Sequence, residues 1–290
     1  MTSPTTRLII GCGYLGRRVA TRWVKNGDMV YALTRSSTHA EELATLGVRP
    51  ILGDVLDPST LTVMPHASTV LYAVGYDRTS DASKRVVYVE GLRNVLAALP
   101  TSVERFVYIS STSVYGQSQG EEVDETSPCH PATEGGQICL DAELLVRETL
   151  ANRLSTHILR LSGIYGPGRL IARIDGLQAG RPLQVEPNGW LNLIHVEDAT
   201  TAVIACTNHE ATGSPLTLVS DDRPIQRRTF YETLAQLVSA PVPKFECSAE
   251  VTSQIGKRCN NRRLRDDLGI TLAFPTIDAG LPHAVTAIAR

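Results

Sequence analysis

Apolar residues in the first half of the chain fall into short blocks separated by amphipathic stretches. The blocks Arg7 to Ile10, Met29 to Thr34, Val48 to Leu52, Val70 to Val74 and Phe106 to Ser110 have the length of strands and are mostly apolar on both faces. Strands of that kind are buried between helices and run parallel. Between them the pattern predicts helices over Tyr14 to Lys25, stopped by Asn26-Gly27, over Glu41 to Thr45, and over Ser83 to Leu99, ended by Pro100. A further helix is predicted over Thr133 to Ala151, with Ile138, Ala142, Leu145 and Thr149 on one stripe, followed by a strand at Ile158 to Leu161. Right-handed crossovers turn this order into an α/β fold, a doubly wound parallel sheet of the Rossmann kind.

The stretch Gln117 to Pro131 is polar and aperiodic, and reads as a loop over the sheet edge. The last 120 or so residues mix shorter elements with frequent proline and glycine. The expected division is a sheet domain over 1–165, to which 190–215 return, and a smaller C-terminal substrate lobe over 166–290.

Composition narrows the classes. Of 290 residues, 28 are Lys or Arg and 30 are Asp or Glu, for a net charge of −2, which argues against binding nucleic acid or an anionic membrane by bulk charge. No apolar run approaches the length of a membrane span, and MTSPTT at the start lacks the features of a secretory leader, so a cytoplasmic location is expected. The six cysteines (12, 129, 139, 206, 247 and 259) form no CxxC pair and have no histidine companions at ligand spacing. Reduced thiols and no metal site are the expectation.

The first strand runs into Gly11-Cys12-Gly13-Tyr14-Leu15-Gly16, a GxGxxG in a strand-to-helix junction. The first glycine permits a tight turn, the second lets backbone approach a pyrophosphate, and the third lets helix and strand pack closely. The helix N-terminus offers N–H groups and a positive dipole end to phosphates. Past Gly16, at the end of the second strand, stand Arg35 and Ser36, where an acidic residue would take ribose hydroxyls. An arginine there complements a 2′-phosphate, so NADP is favoured and NAD stays open. Asp54 follows the third strand and is either an adenine contact or a turn aspartate; Val55 beside it and Ala73 near the end of the fourth strand complete the expected cofactor contacts.

Several segments together resemble the extended short-chain dehydrogenase/reductases of the NAD-dependent epimerase/dehydratase type. They are Gly11 to Gly16, Gly53-Asp54, Val89 to Val95, Ser110 to Gly116 (SSTSVYG), Arg160 to Gly168 (RLSGIYGPG), Ile194 to Asp198, and a closing Asn261 to Leu264 with Leu268-Gly269. The resemblance places Ser111, with Thr112 beside it, at the reacting carbon, where a hydroxyl can donate to a developing alkoxide. The same hydroxyls could equally cap the strand end. It also places Tyr165 near the nicotinamide and implies a small polar substrate, nucleotide-sugar-like or a related carbonyl or alcohol; a homodimer is compatible with it. His195 is a substrate contact or a satisfied buried histidine, and Asp198 reads as a helix N-cap.

One departure stands out. The resembled enzymes carry a tyrosine that moves the proton and, four residues later, a lysine whose charge lowers the tyrosine's pKa and binds the nicotinamide ribose. Here those places hold Gly135 and Cys139, and no Tyr-x-x-x-Lys exists in the chain. Glu134, His130, Tyr115 and Tyr165 are the candidate substitutes, and Cys139 reads as a buried inert thiol. Two readings follow: an NAD(P)-dependent oxidoreductase or epimerase-like enzyme with altered acid–base residues, or a cofactor-binding sensor without turnover.

Overall fold

The chain alternates β1 (Thr6–Ile10), α1 (Tyr14–Lys25), β2 (Met29–Thr34), α2 (Ser37–Thr45), β3 (Arg49–Leu52), β4 (Thr69–Tyr72), α3 (Gly91–Ala97), β5 (Arg105–Ser111), β6 (Gln119–Val123), α4 (Glu134–Leu150) and β7 (Ser155–Leu161). It continues with β8 (Gly163–Tyr165), α5 (Ile171–Gln178), β9 (Trp190–Leu191), β10 (Leu193–His195), α6 (Val196–Asn208), β11 (Leu216–Val219), β12 (Ile225–Gln226), α7 (Arg227–Leu237), β13 (Gly256–Cys259), α8 (Arg262–Asp266) and α9 (Ile277–Thr286). This computed structural model describes residues 5–77, 79–151, 153–208, 215–246 and 255–286, so Cys247 lies outside the described residues.

The chain divides into two units. The first comprises Met1–Val114, Thr133–Arg160 and Thr200–Thr217; the second comprises Tyr115–Ala132, Leu161–Ala199 and Leu218–Arg290. Tyr165, which the sequence places at the end of the sheet domain, thus belongs to the second unit.

A seven-stranded sheet has the order β11-β7-β5-β4-β1-β2-β3, with β1 to β5 paired parallel. The chain begins at β1, steps out to β3, then returns to β4 on the other side of β1. This reversal leaves a crevice beyond the carboxyl ends of β1 and β4, where doubly wound sheets bind ligands. The helices start and stop on local chemistry. Ser36 Oγ accepts the His39 N–H at the start of α2, Thr133 Oγ1 accepts that of Gly136 at the start of α4, and Gly27, at φ +86°, follows the end of α1. The core of this unit gathers Leu8, Ile10, Tyr72, Leu92, Phe106 and Ala142.

The predicted helix over Ser83 to Leu99 contains a π-helical turn, Val86–Glu90, before α3. On α4 the buried positions include Ile138, Cys139, Ala142, Glu143, Val146 and Leu150. The stripe is therefore rotated from the expected one, and it carries a glutamate. Glu143 is paired within the same unit: Arg160 Nη2 donates to Oε2 at 2.6 Å, Arg160 Nε to Oε1 at 2.9 Å, and Ser110 Oγ also donates to Oε1. Both ion-pair side chains are at most 5 % exposed. The pair ties α4, β7 and the end of β5 together.

In the second unit β8 pairs parallel with β10, β9 antiparallel with β12, and β6 parallel with β13. The last pairing corrects the expected loop at Gln117 to Pro131. Gln119–Val123 is mostly exposed, so it lacks the apolar alternation of a strand half-buried in a core, and backbone pairing with Gly256–Cys259 holds it. The core here gathers Tyr165, Leu170, Ile174, Phe230, Leu234 and Leu281.

Replacing Glu143 by alanine leaves the buried Arg160 charge without its carboxylate. Such losses cost about 3–5 kcal/mol. Urea unfolding followed by circular dichroism should show this drop for Glu143→Ala, and the double variant Glu143→Met/Arg160→Met should recover most of it. An equal loss in both would mean that the charge is not the cause.

Candidate active site

The turn between β1 and α1 is built on missing side chains. Gly11 has φ +93°, and a Cβ there would lie 2.4 Å from the Ala73 carbonyl carbon and 2.5 Å from the Val74 nitrogen. The loop after β4 therefore packs directly on the turn, and the Ala73 N–H donates to the Ile10 carbonyl at 2.8 Å. A Cβ on Gly16 would stand 2.7 Å from the Gly11 oxygen, so helix and turn are also in backbone contact. A Cβ on Gly13 meets nothing within 4 Å. That open space lies at the start of α1, where no side chain caps the helix and no acidic residue sits in the first turn. A pyrophosphate fits this cradle: N–H donors, a positive dipole end and room above residue 13. Leu15 faces the core, and Tyr14 carries the Arg18 guanidinium 4.2 Å from its ring centroid.

His39 Nε2 lies 3.1 Å from the Cys12 carbonyl, a latch that its spacing in the sequence does not announce. Arg35 is half-exposed at the end of β2 and 3.8 Å from Asp77 in the loop after β4. Ser36 spends its oxygen lone pair on the α2 cap. The Cys12 thiol is pushed up to about 12 by burial, with Arg17 pulling the other way, so it is no nucleophile.

Asp54 Oδ1 accepts the Leu56 N–H at 2.9 Å, a turn contact. Val55 is buried, and its carbonyl accepts from Asn94 Nδ2 at 3.0 Å. At the end of β5, Ser111 Oγ accepts the Ser113 N–H at 3.1 Å, which leaves its own proton available, and Thr112 is buried beside it. Ser110, one residue before Ser111 on β5, is the residue anchored to Glu143. The first unit thus brings Gly11, Gly13, Tyr14, Leu15, Gly16, Arg35, Ser36, Asp54, Val55, Ala73, Ser111 and Thr112 to the carboxyl ends of its strands.

Of the remaining candidates, Glu134 opens α4 in the first unit, and the others lie in the second. Tyr115 Oη donates to the Asp124 carbonyl at 2.7 Å, and His130 is exposed. His195 is fully buried; its Nδ1 accepts the Glu197 N–H at 3.2 Å, so Nε2 carries the proton and faces His283 Nδ1 at 3.1 Å. Asp198 stands in the first turn of α6, not before it, and its carboxylate accepts the N–H groups of Ala273 and Phe274 at 2.8 and 2.9 Å. Tyr165 is fully buried, and its phenol is raised by burial first and then by the charges of Asp221, Asp198 and Asp278. Burial pushes the Asp221 carboxyl up to about 8 against the pull of the Arg223 N–H. A polar cavity of about 400 Å³ in this unit is lined by Glu122, Trp190, Arg223, Arg258 and Asn261 among others. Among the described residues no group of three or more His, Cys, Asp or Glu could hold a metal ion, and no helix is long and apolar enough to cross a membrane.

A family model described as the NAD dependent epimerase/dehydratase family matches residues 8–218. The chain is 27 % identical to Protein YeeZ of Escherichia coli K12 over 273 residues, 92 % of this chain and 95 % of that protein. It is 28 % identical to a 4-hydroxy-2-methyl-3-oxo-4-farnesyl-3,4-dihydroquinoline-1-oxide ketoreductase of Stigmatella aurantiaca, over 78 % of this chain and 71 % of that one. A solved structure from Methylobacillus flagellatus, described as a proposed NAD-dependent epimerase/dehydratase, superposes with a TM-score of 0.80 at 30 % identity, covering 99 % of this chain and 100 % of the other.

The two turn glycines should part company on substitution. Gly11→Ala forces a left-handed alanine, about 1–2 kcal/mol, into a backbone contact, so thermal unfolding should show a loss of about 2 kcal/mol or more. Gly13→Val should keep the fold and lose dinucleotide binding by calorimetric titration; normal binding would mean that residue 13 does not border the pyrophosphate.

Asp221 predicts a pH effect of definite sign. Its folded value near 8 lies above the ordinary 3.8, so its stabilising contribution is complete below about pH 4 and is lost as pH rises to about 8. Relative to Asp221→Asn, the parent should lose stability between pH 5 and 8, at a slope approaching about 1.4 kcal/mol per pH unit. A stability difference independent of pH, measured by chemical unfolding, would contradict this.

Proposed function

The chain belongs to the NAD-dependent epimerase/dehydratase family, and from that premise we propose that it is an NADP(H)-using oxidoreductase acting on a nucleotide-sugar or related polar carbonyl or alcohol, with altered acid–base residues. The observation that carries the dinucleotide part is the uncapped start of α1 beneath the open space at Gly13. When bound, the nicotinamide supplies or accepts a hydride; the residues of this chain hold it and handle the proton. Gly11, Gly13 and Gly16 shape the cradle, and Arg35 with Ser36 borders the adenosine ribose.

Arg35 supports the phosphorylated cofactor. Its guanidinium is half-exposed and tethered to the loop after β4 by Asp77, so a 2′-phosphate would exchange one anionic partner for a doubly charged one. The ketoreductase relative supports carbonyl chemistry, and the polar cavity bordered by Arg258 and Trp190 supports a polar substrate. The scattered cysteines support a cytoplasmic setting. Gly135 and Cys139 favour the second reading, a sensor that binds the cofactor without turnover.

A hydrogen bond to a charged group is worth about 1.5–3 kcal/mol, so NADPH should bind about tenfold or more tightly than NADH. Fluorescence titration checks it, and Arg35→Ala should erase most of the difference. Equal affinities in the parent would remove the NADP assignment.

A further inference from the structure

The place that lacks a side chain at residue 135 is filled from another helix. Lys84 Nζ donates to the Gly135 carbonyl at 3.3 Å and stands 2.7 Å from where a Cβ of residue 135 would be. Glycine at 135 is what lets the ammonium reach this carbonyl. The same ammonium lies 5.2 Å from the ring centroid of Tyr88, four residues on, within range of a cation–π contact. Tyr88 is the middle residue of the π-helical turn Val86–Glu90, and such turns inside helices recur at functional sites. An ion pair between Arg85 and Asp141 fixes this turn to α4.

The phenol oxygen is held at the carboxyl edge of the sheet. It accepts the Tyr76 N–H at 3.1 Å, from the loop that begins with Ala73 and Val74 against Gly11. That bond uses a lone pair and leaves the phenol proton to be donated. The Thr112–Val114 turn, which follows Ser111, also packs against α4. A phenol, an ammonium and a strand-end hydroxyl therefore all lie on segments packed against α4, in the same unit as the dinucleotide cradle.

We propose that Tyr88 is the proton donor for this protein's cofactor-dependent carbonyl reduction and that Lys84, seated over Gly135, is its positioning cation. The inference rests on the dinucleotide reading above. In the step, hydride from a reduced nicotinamide dinucleotide forms the new C–H bond as the C=O π bond breaks. The carbonyl oxygen takes the proton of Tyr88, whose O–H electron pair stays on the phenolate. Solvent returns the proton. The phenolate is met by the Tyr76 N–H, and the Lys84 ammonium stands 5.2 Å from the ring centroid; both favour negative charge. In the resting protein burial raises the phenol above its ordinary value, the Tyr76 N–H lowers it and Cys139 raises it, which keeps it protonated for donation. The titratable groups around it are Lys84, Cys139 on α4, Tyr72 on β4 and Tyr108 on β5, with Glu143 beyond Tyr108.

The test reads the phenol itself. With tyrosine labelled by carbon-13 at Cζ, the resonance missing from Tyr88→Phe among the nine tyrosines is that of Tyr88. It is titrated in protein saturated with NADP⁺ and in protein saturated with adenosine 2′,5′-bisphosphate, which fills the adenosine end alone. With NADP⁺ the midpoint should fall by about one pH unit, roughly tenfold in ionisation constant, because the nicotinamide cation then faces the phenol. Lys84→Met should raise the NADP⁺ midpoint by about as much, and Lys84→Arg should restore it. Equal midpoints with the two ligands, or no change in Lys84→Met, would overturn the proposal and leave the dinucleotide site standing. Failure of both ligands to bind would overturn the dinucleotide reading itself and the proposal with it.

Discussion

Residue 11 can carry no side chain. The carboxyl end of β1 and the loop after β4 meet there backbone to backbone, at a separation that a single carbon would violate. The strand order makes this meeting unavoidable, since β4 enters beside β1 after the chain has gone out to β3 and back. From that contact the rest of the edge follows. The turn aims the first N–H groups of α1 outward, the loop after β4 is pinned by Ala73, and the same loop goes on to hold Asp77 against Arg35 and the Tyr76 N–H against Tyr88.

The second support is electrostatic. Glu143 and Arg160 are both taken out of water, which is costly for each alone, and bidentate pairing with a further hydrogen bond from Ser110 offsets the cost. Such a pair is weak evidence for net stability, but it holds the end of β5 and the middle of α4 in one register. Ser111 and Thr112 project from that end, and Gly135 lies two turns up the same helix. The hydroxyls at the strand end and the Lys84 seat are thus referred to one buried charge pair.

The second unit shows how buried polar groups become structure. His195 has both ring nitrogens engaged, and Asp198 satisfies two backbone donors of the segment at 273–274. Asp221 is different. Its carboxyl is buried with little compensation, and desolvation first, with the charges of Asp222 and Asp198 adding to it, keeps its proton on at neutral pH.

Local chemistry in the sequence was sufficient for the order of strands and helices, the glycine turn and the helix stops, because each depends on residues a few positions apart. Tyr14–Lys25, Met29–Thr34 and the helix that follows Thr133 were legible for that reason. Gln119–Val123 was not, since a polar strand is made by its partner at Gly256–Cys259 and leaves no apolar period of its own. Glu143 left a faint signal, a charge on an apolar stripe answered by an arginine inside an apolar strand, yet only packing shows that the two meet. The substitution at Gly135 read as a loss. Tertiary structure decided what fills the space, because Lys84 reaches it from 51 residues away and nothing in local spacing encodes a contact between two helices.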